Sequence, residues 1–122
     1  MRLMLDTHAL LWWFNNDPKL SSAARAAIVE PENEIYASAV CAWEIATKAR
    51  TGKLDELPHA VERYQLLVDR NGFLPLPITP THGLWAGSHP AAHRDPFDRM
   101  LAAQAELEHI TLVTRDPSFA QF

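Results

Sequence analysis

RLMLDTHALLWWF, residues 2–14, changes its periodicity at residue 6. Leu3, Met4 and Leu5 form an unbroken apolar run, the pattern of a strand covered on both faces, as in parallel sheets. After Asp6 the apolar positions fall at Leu10, Trp13 and Phe14, the spacing of a helix buried along one side. Asn15-Asn16-Asp17-Pro18 then stops that helix. A strand running straight into a helix is the first half of a βαβ unit, so this stretch points to an α/β fold.

The same alternation continues along the chain. Ser21 or Ser22 can cap a helix over AARAAIVE, which Pro31 closes. EIYASA (34–39) reads as a strand leading into the helix VCAWEIATKAR, with Gly52 as its C-terminal stop. Residues 59–72 place apolar side chains at 61, 64, 67 and 68, one face of a further helix. FLPLP (73–77) is a short strand that its prolines push to a sheet edge. TPTHGLWAGSHP holds a short helix, PFDRMLAAQAELEH is the longest helix, and ITLVT (110–114) is a β-branched strand. Strands alternating with helices predict an α/β fold with a mostly parallel sheet. Residues 75–95 are loop-rich but too short to link two domains, so residues 1–122 are expected to form one.

Composition narrows the class. A hydrophobic share of 48% supplies a core, and 21% charge argues against disorder. A net charge of −4 gives no global attraction for nucleic acid, although local charge and metal ions can still create one. The single cysteine, Cys41, excludes an internal disulfide and suits a buried thiol. The start MRLMLD has no signal-peptide core, and the charge-free run 71–93 is broken by prolines that a membrane helix would not carry. The expectation is a cytoplasmic protein without membrane contact.

Four acids occupy unusual positions. Asp6 and Asp116 directly follow the first and last strands, whose carboxyl ends face the site crevice of an open parallel sheet. Glu44 lies about one and a half turns into the helix after the second strand. Asp98 shares a helix face with Leu101, Ala102 and Ala105, so it points toward the sheet. Four carboxylates brought together repel one another, and a hard divalent cation, Mg²⁺ or Mn²⁺, resolves the repulsion. Such a centre suits hydrolysis of phosphodiesters without a covalent intermediate.

Plainer roles compete. Asp95 before Pro96 is an N-cap with proline at the first helical position, and Asp98 could complete a capping box. Glu44 and Lys48 are spaced as a surface ion pair worth only about 0.2–0.5 kcal/mol. Asp6 could cap its helix, and Asp116-Pro117 could be a turn. Thr7 and Thr114 could orient site acids, or could simply cap and pack. Lys48, Arg50, Lys53, Arg94, Arg99 and Arg115 could grip phosphates, or could be ordinary solvated charges. Trp12 and Trp13 point about 100° apart on a helix, so one could face a partner surface. No HExxH, GxSxG or phosphate-cradling glycine loop occurs, which removes zinc-protease, serine-hydrolase and P-loop readings. A DxD phosphatase would need an acid where His8 stands, and a receiver domain would need one at Leu5.

LDTHALLWW, SAVCAWEIATKARTGKL, HRDPFDRMLAAQA and TLVTRD, in this order, resemble the motifs of the PIN-domain family, and within it the VapC-type toxins of bacterial toxin–antitoxin pairs. The resemblance runs from residue 2 to about 119. It implies a three-layer α/β/α sandwich and a Mg²⁺- or Mn²⁺-dependent endoribonuclease. Its acidic quartet falls on Asp6, Glu44, Asp98 and Asp116, with Asp95 as a further candidate ligand. It also implies a VapB-like antitoxin that silences the enzyme, and a homodimer. Relatives often continue to a further short strand beyond SFAQF, so a different sheet edge is expected here. A non-catalytic metal- or RNA-binding module is the competing reading.

Overall fold

The computed structural model describes residues 1–54 and 57–122. Four parallel strands form one sheet: β1 (Arg2–Leu5), β2 (Glu34–Ser38), β3 (Leu74–Leu76) and β4 (Thr111–Val113), in the order β3-β2-β1-β4. Among the described residues six helices flank it: α1 (Thr7–Phe14), α2 (Ser22–Val29), α3 (Ala39–Arg50), α4 (Ala60–Arg70), α5 (Pro80–Ser88) and α6 (Pro96–Glu108). A 3₁₀ turn over Pro117–Gln121 follows β4. This is the three-layer α/β/α arrangement with a parallel sheet.

Strand register fixes where the acids emerge. Leu3 lies opposite Ile35 and Thr111, Met4 opposite Tyr36 and Leu112, and Leu5 opposite Val113. The chain steps from β1 to β2 to β3 in one direction, then returns to place β4 on the other side of β1. The order therefore reverses between β1 and β4. In open parallel sheets the crevice outside the carboxyl ends at such a reversal is where ligands bind. Asp6 and Asp116 stand at that end, and the Asp6 N–H still reaches the Val113 carbonyl at 3.1 Å.

The core explains why β1 sits at the centre. Leu3, Met4 and Leu5 are all buried, as a strand covered on both faces requires. They pack with Leu10 of α1, Val40 of α3 and Leu101 of α6. Each such side chain stabilises the fold by about 1.5–3 kcal/mol. A smaller cluster of Leu11, Ile45, Leu57 and Ala60 joins α1, α3 and α4.

The helices settle one open choice and depart from expectation at one position. Ser21, rather than Ser22, caps α2 by accepting the Ala24 N–H. In α4 Tyr64, Leu67 and Val68 face inward as expected, while Ala60 is buried in place of Val61, which is exposed. His59, in the left-handed conformation at φ 57°, opens that helix, whose first residue, Ala60, is buried. The prolines of 73–77 do leave β3 at an edge, but β4 is the other edge and only three residues long.

Candidate active site

Asp6, Glu44, Asp95, Asp98 and Asp116 line one cleft of about 150 Å³ together with Thr7, His8 and Lys48. Each side chain arrives by a different local device. Asp6 ends β1 and caps α1, its Oδ1 accepting the Ala9 N–H at 2.8 Å. Its Oδ2 accepts the Thr114 hydroxyl at 2.6 Å, a bridge between the ends of β1 and β4. Thr114 in turn accepts the Asp116 N–H at 3.0 Å, so one hydroxyl orders both acids. Glu44 is only 4% exposed. Its Oε1 accepts the Thr7 hydroxyl at 2.6 Å, and its Oε2 pairs with Lys48 Nζ at 2.5 Å. The expected Glu44–Lys48 pair exists, therefore, but at the cleft and not as a surface bridge.

Asp95 and Asp98 divide their labour. Asp95 caps α6, accepting the N–H groups of Phe97 and Asp98 at 2.8 and 3.1 Å. Its carboxylate also faces the cleft. Asp98 completes no capping box. Its Oδ2 meets His93 Nε2 at 2.8 Å instead. Asp116 opens the 3₁₀ turn by accepting the Ser118 N–H at 2.9 Å.

Burial sets the electrostatics. Loss of water raises the pKa of Asp6, against the Thr114 and Ala9 hydrogen bonds that lower it. Loss of water also raises Asp98, against the His93 bond, and the charges of Asp95 and Glu44 push it the same way. Glu44 raises Asp6 as well, so these acids feel one another across the cleft. Asp116 is solvent-exposed, and the Ser118 backbone bond holds it below the usual aspartate range.

The donor set suits a hard divalent cation. The acids offer only oxygen, Cys41 is buried elsewhere, and two of the acids pay for desolvation that a cation would relieve. Among the described residues, however, no three His, Cys, Asp or Glu side chains are disposed to hold one ion together as they stand. The reason is local. Glu44 is turned to Lys48 and Thr7, Asp98 to His93, and Asp6 to Thr114. The expected ligands are gathered in one cleft, but a ready-made cage is not there.

Two supporting assignments change. Arg99 does not face phosphate. Its guanidinium donates to the carbonyls of Ala86, Ala91, His93 and His89, clasping the loop that carries His93. His93, absent from the candidate residues of the sequence, is the partner of Asp98. Its five-residue separation from Asp98 crosses the α6 cap, where helical periodicity carries no signal.

A family model described as PIN domain matches residues 3–122. Ribonuclease VapC22 of Mycobacterium tuberculosis is 30% identical over 115 residues, covering 93% of this chain and 86% of that protein. The crystal structure of VapBC2 from Rickettsia felis bound to a DNA fragment from their promoter is similar with a TM-score of 0.70 at 17% identity. That match covers 100% of this chain and 93% of the other, and at such identity it speaks for the fold.

Proposed function

The chain belongs to the PIN-domain family, and on that premise we propose that it is a VapC-type toxin, an endoribonuclease that hydrolyses RNA phosphodiester bonds. The observation that carries this reading is the gathering of Asp6, Glu44, Asp98 and Asp116 in one cleft at the β1–β4 reversal. These four side chains would hold Mg²⁺ or Mn²⁺, with Asp95 as a further ligand or as a hydrogen-bond acceptor for water. When bound, the cation neutralises the acids, polarises the phosphate and acidifies a water molecule.

The rest falls to the chain. Thr114 and the Ala9 N–H fix the two oxygens of Asp6, and Thr7 fixes one oxygen of Glu44. Rigid carboxylates lose little freedom when they take up a ligand. Lys48 holds Glu44 through a bond that must be exchanged for ligation, whereas His93 holds Oδ2 of Asp98 in place and leaves Oδ1 for the cation. Lys48 is then free to meet a phosphate oxygen at the cleft mouth. Hydrolysis adds one water across the P–O bond, hydroxyl to phosphorus and proton to the leaving oxygen.

The same reading supplies a VapB-like antitoxin as inhibitor, supported by the VapBC2 assembly among the structural neighbours. It also takes residues 1–122 as one domain, which acts as a homodimer in the cytoplasm. Among the described residues no helix is long and apolar enough to cross a membrane. The test is cleavage of total cellular RNA by purified, antitoxin-free protein with and without divalent cation. Metal-dependent cutting that Asp6→Asn lowers by about a hundredfold or more is expected. A metal-replete, folded preparation that cuts no RNA overturns the reading.

A further inference from the structure

Beside the acid cleft, and sharing Asp6, His8 and Asp116 with it, lies a second hollow of about 400 Å³ whose other walls are Trp12 and Arg115. Its volume is within the roughly 300–1,000 Å³ of small-molecule sites. It opens at the β1–β4 reversal, where the fold itself leaves a crevice.

Three of its lining groups are planar. Trp12 is partly buried against the main core, which makes it a fixed plate. The His8 ring lies 5.8 Å from it, centroid to centroid, at 33°. These rings are too close to admit anything between them, so only their outer faces are offered. The Arg115 guanidinium stands 5.7 Å from the Trp12 centroid and donates through Nη1 to the Lys19 carbonyl at 2.7 Å. Among the described residues Arg115 forms no ion pair, although Asp116 is its neighbour in sequence. Its remaining N–H groups lie on an exposed side chain.

An aromatic plate, an unpaired guanidinium and a shared wall with a phosphodiesterase cleft match one kind of ligand. Single-stranded RNA is held by stacking its bases on aromatic or arginine planes and by cations on its phosphates. We propose that this hollow seats the base of a nucleotide adjoining the scissile bond, with Trp12 and His8 as the stacking surface and Arg115 on the neighbouring phosphate. The proposal rests on the ribonuclease reading and adds positioning residues to it. Stacking accepts every base, so the hollow contributes affinity for a base without choosing strongly among sequences.

The test separates the hollow from the reaction. In an Asp98→Asn background, which holds cleavage back, binding is followed by the anisotropy of an end-labelled single-stranded adenylate octamer and of the equally labelled base-free ribose-phosphate octamer of the same length. The base-bearing strand is expected to bind about tenfold more tightly. Trp12→Leu and His8→Ala should each lose most of that preference, and Trp12→Phe should keep it. Arg115→Gln should weaken both strands alike. His8 is exposed, so its variant carries the test if Trp12→Leu does not fold by circular dichroism. Equal binding of the two strands by the parent protein overturns the proposal. So does an undiminished preference in the folded variants, which would leave the hollow to a protein partner. Cleavage by the unaltered protein is scored separately. Its absence overturns the ribonuclease reading, whereas a lost base preference reports on the hollow alone.

Discussion

Asp6 and Asp98 are raised by the same cause, burial, and this gives their substitutions an unusual signature. A carboxyl whose folded pKa lies above its unfolded value costs stability once the unfolded chain ionises. The cost is absent below about pH 4 and grows as pH rises toward the folded value. Asp6→Asn should therefore melt as high as the parent protein or higher in EDTA near neutral pH, while cleavage is lost. Melting near pH 4 should show no such gain, and a variant destabilised only at neutral pH would contradict the sign. His93 acts in the opposite direction, because its hydrogen bond lowers Asp98. His93→Ala should raise Asp98 further and weaken cation binding about 10–100-fold by calorimetry. Cys41 is a further buried group raised mainly by burial, with the charges of Glu44 and Asp6 pushing the same way. Burial pushes its thiol up to about 12, so it should resist alkylation until the protein unfolds. Its contribution to stability is complete below the ordinary thiol value near 9 and declines as pH climbs from there toward 12. Cys41→Ala should flatten that alkaline decline in a denaturant series.

Helix α6 shows what is decided at the level of an element. Asp95 satisfies two N–H groups at its start, and Asp95→Ala should cost about 1 kcal/mol of stability where Asp95→Asn costs little. Arg99 binds the far side of the same turn to four carbonyls. Arg99→Met leaves those carbonyls unpaired and should cost about 2–3 kcal/mol in urea unfolding, with a matching loss of the Asp98–His93 geometry. These two residues also mark what a sequence can disclose. The cap was legible because Asp-Pro is a local signal, and the inward turn of Asp98 was legible because Leu101 and Ala102 repeat its face. The Arg99 clasp was not, since its acceptors are backbone carbonyls of a loop with no periodicity. Nor was the buried start of α4 at Ala60, which follows a left-handed turn at His59 more than any apolar pattern. Side-chain partners such as Thr114 for Asp6 span 108 residues, and only the strand order brings them together.

At the scale of the whole molecule, a chain of net charge −4 concentrates five of its acids in one small cleft. The fold accepts this because β1 lies between β2 and β4, so its C-terminal acid lands beside residues from both neighbours. The core holds the strands in place, and the cleft bears the repulsion. A cation that binds the folded cleft and not the open chain must then stabilise the whole domain, by about 2.7 kcal/mol at a hundred times its dissociation constant. Because it competes with protons for Asp6 and Asp98, which hold theirs to a higher pH than usual, the gain should be small near the ordinary aspartate value of about 4 and increase as pH rises above it. Asp116, held low by Ser118, stays ionised through that interval and contributes none of the pH dependence. Thermal melts with Mn²⁺ or Mg²⁺ against EDTA, repeated across pH, should show a widening gap. In the Asp6→Asn variant that gap should shrink and its pH dependence flatten. A gap of constant size across that range would mean that the cation sits away from the buried pair.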